Sequence, residues 1–225
     1  MHHNKTFVRK YVWGFPIRSF HWINFICILG LVITGFIIGN PPAILSELEA
    51  SEQFWFGNVR MIHFILAYIW VFNFIFRVYW GFQENEYTHW KNWNPFSKEK
   101  REELSDVLKA DIFLAKLEGK ISIGHNPLAI LSYWIFFLVL IFQMATGFAY
   151  YSQMSDAWLP QLFSWLVPLF GSEYNLRMVH HILTWFFIIF AMIHVYIASY
   201  HDYIEGRGGI SSIVSGWKFI PKDKE

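Results

Sequence analysis

Two parts of the chain read almost alike: Arg60-Met61-Ile62-His63-Phe64-Ile65-Leu66 and Arg177-Met178-Val179-His180-His181-Ile182-Leu183. Each begins an apolar stretch that is long enough to form a membrane-spanning helix. Two matching triplets, Thr34-Gly35-Phe36 and Thr146-Gly147-Phe148, fall near the far ends of the apolar stretches that precede them. The sequence therefore predicts a duplicated pair of helices, in which each half contributes one histidine at the same depth.

Four apolar stretches are long enough to cross a bilayer. The chain is 55% apolar, 21% aromatic and only 16% charged, which is more apolar than a soluble domain of this length. A helix needs about 20 residues to cross a bilayer core of about 30 Å. Stretches of that length cover about residues 20–40, 60–80, 128–151 and 177–200. We expect an all-α integral membrane protein, a bundle of four transmembrane helices that forms a single domain over residues 1–225.

Other apolar segments are expected to lie outside the four spans. The stretch Ala157–Gly171 is short and contains two prolines, so it is expected at the membrane interface. Residues 97–118 are charged with an apolar periodicity and predict a helix that lies on the inner leaflet. The first apolar stretch continues through Gly39-Asn40-Pro41-Pro42 without a signal-peptide cleavage site, and we expect it to remain as a span.

Lysine and arginine residues lie almost entirely on one side of the predicted helices. Four precede residue 20, seven lie within 83–126 and four follow residue 200, whereas residues 41–59 and 152–176 contain none. The positive-inside rule then places both termini, the loop 83–126 and the tail 201–225 in the cytoplasm. The expected location is the inner cell membrane.

The sequence also points to a partner protein. Cys27 is the only cysteine, so the chain forms no internal disulfide and holds no iron–sulfur cluster of its own. The loops opposite the basic side are apolar and aromatic, which suits a docking surface but also fits ordinary loops of a small membrane protein. They carry five acidic residues: Glu47, Glu49, Glu52, Asp156 and Glu173.

The histidines fall into two pairs at two depths. His194 follows His180 by fourteen residues, about four turns, and returns within about 40° of the same helix face. The helical rise of about 1.5 Å per residue separates these two histidines by about 21 Å. His63 therefore pairs with His180 on the outer side, and His21 pairs with His194 on the inner side. His181 points to a different side and is a weaker ligand.

Paired imidazoles from facing helices predict two b-type haems. A lone histidine in an apolar helix is often only a hydrogen-bonded core residue, but ionisable groups in spans are rare and usually functional. Arg60 and Arg177, about one turn outside the outer pair, suit the haem propionates. Gly35 and Gly147 leave room for a porphyrin, or alternatively serve helix packing. Proton relay or metal transport is less favoured, because the spans contain no carboxylate.

These residues resemble a known family, the b-type cytochrome subunits of membrane-bound nickel–iron hydrogenases, which are related to the gamma subunit of respiratory formate dehydrogenase. The resemblance covers nearly the whole chain. It implies the same two haem ligand pairs, with the outer haem nearest the partner's iron–sulfur chain and the inner haem beside the quinone. The matching residues are Pro16-Ile17-Arg18-Ser19-Phe20-His21-Trp22, Thr34-Gly35-Phe36, Arg60-Met61-Ile62-His63, Gly124-His125-Asn126-Pro127, Thr146-Gly147-Phe148, His180 with His194, and Ile210-Ser211-Ser212-Ile213-Val214-Ser215-Gly216-Trp217.

The expected function is electron transfer across the membrane. The chain would anchor the small and large subunits of a periplasmic hydrogenase and pass electrons to menaquinone or ubiquinone in the membrane pool. It would act as the quinone-reducing subunit of that oxidoreductase complex, and would not be a hydrogenase by itself.

The quinone site is predicted at the start of the third span. Asn126 and His125 lie at the depth of the inner haem and are placed to bond a quinone carbonyl, and the resemblance favours Asn126. The alternative is that Asn126 only caps the helix that Pro127 begins. Three polar residues about two turns beyond the inner pair are placed to relay protons or to bond a propionate, or merely sit at the interface: His201, Asp202 and Tyr203.

Other functions stay open at this point. The donor could be formate dehydrogenase or thiosulfate reductase, or the chain could be a stand-alone cytochrome that oxidises a small molecule. The haems could also serve only to stabilise a membrane anchor. A histidine-lined transporter is a further alternative, and it predicts no haem at all.

Overall fold

The computed structural model describes residues 6–42, 54–83, 85, 87–94, 100, 101, 104, 105, 107 and 123–222. The predicted inner-leaflet helix at 97–118 falls almost entirely outside the described residues. The elements in chain order are β1 (Phe7–Tyr11), α1 (Phe15–Gly39), α2 (Trp55–Trp80), a 3-10 turn (Trp90–Asn92), α3 (Pro127–Tyr151), α4 (Trp158–Gln161), α5 (Leu166–Leu169), α6 (Glu173–Glu205), α7 (Gly209–Ser215) and β2 (Trp217–Pro221).

Among the residues that the structure describes, four helices are long and apolar enough to cross a membrane: α1, α2, α3 and α6. Their surfaces are apolar as well, since Ile26, Phe72 and Leu138 are 59%, 65% and 61% exposed. Large apolar side chains are stable on a protein surface when that surface faces lipid rather than water. The chain is a mostly helical, multi-pass membrane protein, and the prediction of four spanning helices is confirmed.

The long helices extend beyond the predicted spans. Helix α6 begins at Glu173 rather than at about 177, because the Ser172 hydroxyl accepts a hydrogen bond from the Asn175 N–H at 3.2 Å and so caps the helix. It ends at Glu205 rather than at about 200. His201 Nδ1 lies 3.2 Å from a Glu205 oxygen one turn later, and such a pair stabilises a last turn. The tail predicted to begin at residue 201 therefore begins after Glu205.

The apolar segment Ala157–Gly171 is divided into two four-residue helices, α4 and α5. Leu166 of α5 packs with Ala149 and Leu176, which lie on the flanking helices. This packing stabilises the segment against α3 and α6. Its position at the membrane interface stays a prediction.

The two ends of the chain form an antiparallel two-stranded sheet that the sequence analysis did not predict. Phe7 lies opposite Pro221, and Tyr11 lies opposite Trp217. The Val12 and Trp13 N–H groups both donate to the Gly216 carbonyl, at 2.9 and 3.1 Å. Gly216 has a φ of 87°, and a β-carbon there would lie 2.7 Å from the Trp13 carbonyl oxygen. Only glycine fits this turn between α7 and β2.

The chain divides into two compact units. The first unit comprises residues 22–75 and 138–191, and the second comprises residues 1–21, 76–137 and 192–225. Aromatic rings pack within the first unit, where Trp70 meets Phe187 edge to face with ring centres 5.3 Å apart. A buried cluster in the second unit consists of Val12, Trp13 and Ile17, with Tyr87 and Ile123 packed against it. A single functional domain over residues 1–225 stays a prediction.

Candidate functional site

Two histidines in the first unit each meet a threonine hydroxyl. Thr34 Oγ1 lies 2.8 Å from His63 Nδ1, and Thr146 Oγ1 lies 3.1 Å from His180 Nδ1. Both hydroxyls already donate their proton to a carbonyl oxygen one turn back, at 2.6 and 2.9 Å. Because a hydroxyl has a single proton, each oxygen must accept from the imidazole Nδ1–H. Each imidazole is thereby held in the tautomer whose Nε2 carries a lone pair.

Two glycines lie directly against the same imidazoles. A β-carbon on Gly147 would lie 2.9 Å from His180 Cε1, closer than real side chains come. A β-carbon on Gly35 would lie 3.5 Å from His63 Cε1, which is an ordinary contact. An alanine at 147 would therefore have to displace the His180 imidazole, whereas an alanine at 35 would not displace His63. In this structure the two glycines give room to imidazoles, and their packing against a porphyrin stays a prediction.

A buried amide also reaches the His180 ring. Gln143 is 8% exposed on α3, and its side-chain nitrogen lies 3.3 Å from His180 Nε2 and 3.3 Å from Thr184 Oγ1. The amide therefore donates to the nitrogen that the Thr146 contact leaves unprotonated. His181, the next residue, is exposed, and its weaker ranking as a ligand stays a prediction.

The two predicted propionate arginines lie near other groups in this structure. Arg60 Nη2 donates to Met154 Sδ at 2.6 Å, and Arg177 Nη2 donates to the Gly39 carbonyl at 3.4 Å. Arg60 also lines an open groove of about 440 Å³. Both guanidinium groups stay within the first unit, and their role toward a propionate stays a prediction.

The second unit holds the other histidine pair. The His21 and His194 ring centres lie 6.3 Å apart with 49° between the ring planes. Imidazoles on opposite sides of one metal ion have ring centres about 6 Å apart, because each metal–nitrogen bond is about 2 Å long and each nitrogen lies about 1 Å from its ring centre. The spacing of this pair therefore fits a single metal atom between the rings.

The donor set fits haem better than a bare metal ion. Within the described part of the chain, no group of three or more His, Cys, Asp or Glu side chains is placed to hold a metal. Histidine pairs suit a metal that brings four equatorial nitrogens of its own, as haem iron does, and both pairs lie on apolar helices. The donor sets of the pairs therefore fit b-type haem, and the presence of two haems stays a prediction.

An arginine that the sequence analysis did not single out is buried in the second unit. Arg77 lies in the last turn of α2 and is only 2% exposed. Its guanidinium lies over the Trp90 ring at 4.7 Å and over the Trp93 ring at 4.8 Å. Cation–π contacts of this kind stabilise a charge that has left water. The available signal was a lone cation inside an apolar stretch.

Asn126 caps helix α3 in this structure. Its Oδ1 accepts a hydrogen bond from the Ala129 N–H at 2.7 Å, and Pro127 occupies the first helical position. The capping alternative is therefore present in the geometry. The side-chain N–H₂ group of Asn126 is not used by that contact, and a quinone role through it stays a prediction.

His125 lies inside a cage of aromatic rings. The ring centres of Trp13, Trp93 and Tyr133 lie 4.6, 5.2 and 5.0 Å from its own. Burial, aided by nearby positive charges, lowers the pKa of His125 to about 3, so the ring is neutral at physiological pH. It also lines a cavity of about 250 Å³ beside Tyr87.

The three predicted proton-relay residues differ in their surroundings. His201 pairs with Glu205 at 3.2 Å, and an Asp202 oxygen accepts a hydrogen bond from the Gly209 N–H. Tyr203 is 87% exposed. The first two residues thus stabilise the end of α6 and the turn into α7, and proton relay by any of the three stays a prediction.

Comparison with known proteins identifies the family. The family model described as prokaryotic cytochrome b561 matches residues 12–216. The chain belongs to the prokaryotic cytochrome b561 family. This cytochrome is also similar to curated proteins named probable Ni/Fe-hydrogenase B-type cytochrome subunit. It is 34% identical to that of Cupriavidus necator over 95% of this chain and 88% of the relative.

Other relatives carry the same kind of name. The protein of Rhizobium leguminosarum bv. viciae is 35% identical over 100% of this chain and 95% of its own length. The protein of Escherichia coli K12 named probable Ni/Fe-hydrogenase 1 B-type cytochrome subunit is 31% identical over 94% of this chain and 91% of its own length. The resemblance predicted from the sequence motifs is confirmed, and membership of this cytochrome family implies a b-type haem.

The sequence analysis missed the two threonines that orient the cytochrome's imidazoles. Thr34 and Thr146 precede the glycines in the repeated Thr-Gly-Phe triplets, and the prediction assigned a role only to the glycines. The repetition of threonine was itself the available signal. A hydroxyl that donates its hydrogen bond to a carbonyl of its own helix is held in one orientation. Its oxygen can therefore accept a hydrogen bond from an imidazole ligand.

Proposed function

We propose that this cytochrome is the di-haem membrane subunit of a periplasmic nickel–iron hydrogenase. It anchors the small and large subunits and passes electrons from their iron–sulfur chain across the inner membrane to quinone. The observation that carries the proposal is the repeated histidine–threonine arrangement, in which His63 and His180 each present an unprotonated Nε2. The names of relatives that match almost the full length support the hydrogenase as the donor.

The proposed ligands are His63 with His180 for the outer haem and His21 with His194 for the inner haem. When bound, the two haems supply one-electron redox chemistry. Thr34 and Thr146 hold the outer imidazoles in the tautomer that binds iron, and such contacts also raise the basicity of a ligand. Two histidines per iron leave no coordination position for oxygen or substrate, so the residues favour electron transfer over catalysis at the metal.

The proposed orientation follows from charge. The basic segments belong to the cytoplasmic side by the positive-inside rule, and this includes both termini. The loops without lysine or arginine then face the periplasm, where the hydrogenase would dock. Electrons would enter at the histidine pair near those loops and leave toward the cytoplasmic side.

The proposed quinone site lies at the start of α3. The Asn126 side-chain N–H₂ would donate to a quinone carbonyl, because its Oδ1 already accepts a hydrogen bond from the Ala129 N–H at the start of the helix. His125, neutral because burial lowers its pKa, offers a second polar group within an aromatic wall that suits a flat ring. Quinone reduction consumes two protons, which His201, Asp202 and Tyr203 at the end of α6 would relay.

The test is a reduced-minus-oxidised optical spectrum of the membrane complex, first with dithionite and then with hydrogen as the only reductant. We expect two b-type haems that hydrogen reduces and a quinone analogue reoxidises. Replacing His63 with Ala should remove one haem, whereas His181→Ala serves as the matched control and should keep both. Haems that respond to dithionite but never to hydrogen would exclude the hydrogenase as donor, and a spectrum without haem would refute the whole proposal.

A further inference from the structure

Lys218 of β2 lies beside the segment that begins α3. Its Nζ donates a hydrogen bond to the Ile123 carbonyl at 3.2 Å, and Ile123 and His125 line the same cavity of about 250 Å³. The ammonium also lies 4.8 Å from the centre of the Trp13 ring, which packs against the His125 ring. Among nearby charges, Lys218 acts most strongly on His125. A cation outside the membrane spans thus contacts the wall of this cavity.

Lys218 is also coupled to the charged groups at the end of α6. The Glu205 and Asp202 carboxylates and the Arg207 guanidinium all act electrostatically on its ammonium. A Glu205 oxygen in turn lies 3.2 Å from His201 Nδ1, and the other oxygen lies 3.7 Å from Arg207 Nε. Lys218 therefore connects the end of α6, where proton relay is predicted from the sequence, with the cavity at the start of α3.

The surroundings of Lys218 make its ammonium a better acid than an ordinary lysine. Burial lowers the pKa of Lys218 to about 8, and Arg207 contributes in the same direction, although the two carboxylates of α6 raise it. Two further titratable groups are close: Lys10 lies opposite Lys218 in the sheet, and His125 is uncharged at physiological pH. An amine of this kind is mostly protonated at neutral pH and still releases its proton readily.

We propose that Lys218 delivers protons from the end of α6 to quinone at the start of α3, an inference that rests on the quinone function proposed above. Reduction of a quinone to a quinol takes two protons and two electrons, and the electrons come from hydrogen through the proposed haem chain. Each proton leaves the Lys218 ammonium for a quinone oxygen through water in the cavity. The neutral amine then regains a proton from the His201–Glu205 pair. The cavity has room for several water molecules, since each takes up about 30 Å³.

A purely structural role for Lys218 predicts a different behaviour. The hydrogen bond to the Ile123 carbonyl and the contact with the Trp13 ring require only a cation that can donate, and arginine is such a cation. Arginine does not release its proton in proteins. Lys218→Arg therefore keeps the charge and the donor but removes the transferable proton.

The experiment times a single reoxidation of the haems in the full membrane complex. The complex is reduced with hydrogen, placed under argon and mixed with duroquinone at pH values from about 6.5 to about 9.5, and the loss of the reduced haem absorption is recorded. Removal of hydrogen separates proton delivery to quinone from the oxidation of hydrogen. The driving force for quinone reduction falls steadily with pH in every variant, so the signature of Lys218 is a bend near pH 8.

The wild-type rate should fall about fivefold between pH 8 and pH 9, because the protonated fraction of a group with a pKa of about 8 falls by that factor. Lys218→Arg should reoxidise its haems about tenfold or more slowly at pH 7 and show no bend, although hydrogen still reduces those haems. Lys222→Arg is the matched control, because Lys222 is exposed directly after β2. It should keep the wild-type rate and the bend.

Wild-type kinetics in Lys218→Arg would overturn the role of Lys218 in proton delivery. If that variant does not assemble, Lys218→Gln decides by the same criteria, since its amide can donate to the Ile123 carbonyl but has no proton to transfer. If neither variant assembles, the wild-type profile decides: a bend near pH 8 supports the role of Lys218, and a profile without one overturns it. By contrast, haems that hydrogen reduces and duroquinone never reoxidises would overturn the proposed quinone function itself.

Discussion

Gly147→Ala and Gly35→Ala are the same substitution at equivalent positions of the repeat, and the structure predicts opposite outcomes. At Gly147 the new methyl carbon would lie 2.9 Å from His180 Cε1, so the imidazole must shift by about half an ångström to reach van der Waals distance. At Gly35 the corresponding distance to His63 Cε1 is 3.5 Å, and nothing has to move. The difference concerns only the position of one proposed iron ligand.

The size of the effect follows from the cost of overpacking. An extra methyl group in a packed interior costs about 1–3 kcal/mol, and each 1.4 kcal/mol is about tenfold in affinity. We expect Gly147→Ala to bind the outer haem about fivefold to 150-fold more weakly. Gly35→Ala should bind normally, and its helix gains about 1 kcal/mol because alanine favours helix over glycine.

The assay is haem per polypeptide, measured as the pyridine haemochrome on purified cytochrome after equal detergent washing. The Gly147→Ala protein should lose the proposed outer haem, whereas the Gly35→Ala protein should retain it. The helical content of both variants, measured by circular dichroism, controls for misfolding. Full haem retention in Gly147→Ala, or equal loss in both variants, would refute the reasoning that the glycine exists to place His180.

Three further predictions concern polar groups around the proposed sites. Thr146→Val leaves a buried imidazole N–H without its acceptor, which costs about 1–3 kcal/mol of stability. This variant should therefore lose haem faster on washing than the wild type, whereas Thr146→Ser, which keeps the hydroxyl, should not. Asn126→Asp keeps the oxygen that caps the helix but removes the N–H₂ donor, so it should slow quinone reduction by hydrogen without changing the melting temperature. Asn126→Ala removes both groups and should also lower the melting temperature. Full activity in the aspartate variant contradicts a quinone role. Burial lowers the pKa of His125 to about 3, whereas the unfolded state has the ordinary value of about 6.5. Between these two pH values only the unfolded state takes up a proton on His125. The free energy of unfolding therefore falls as the pH decreases through that window, by about 2 kcal/mol at pH 5. Thermal unfolding at pH 7 and pH 5 should show this loss in the wild type and a smaller one in His125→Phe.

The sequence predicted the long helices well because apolar length is a local property. The helix ends were predicted less accurately. The start of α6 depends on the Ser172 cap, and its end depends on the His201–Glu205 pair. Neither contact changes the apolar pattern from which the spans were derived. Both contacts are made by polar residues, and polar residues also occur in loops.

The histidine pairing was derived from helical periodicity, which fixes depth and face, and the role of the pairs as haem ligands stays a prediction. The groups that orient the imidazoles were not predicted, because Thr34 and Thr146 look like ordinary small residues of a packed helix until their hydroxyl partners are known. The terminal sheet was missed for a related reason. The residues of β1 and β2 pair across almost the whole chain, and no local signal links Phe7 with Pro221.

The sheet between β1 and β2 joins two segments that the ribosome synthesises far apart in time. While the ribosome is still adding Trp217–Pro221, the strand that begins at Phe7 has no partner, however many helices are already in the membrane. A chain that stops before Trp217 would leave β1 as an open edge, which is available to proteases and to other strands. Pairing of β1 with β2 thus distinguishes chains that include Trp217–Pro221 from chains that are truncated before it.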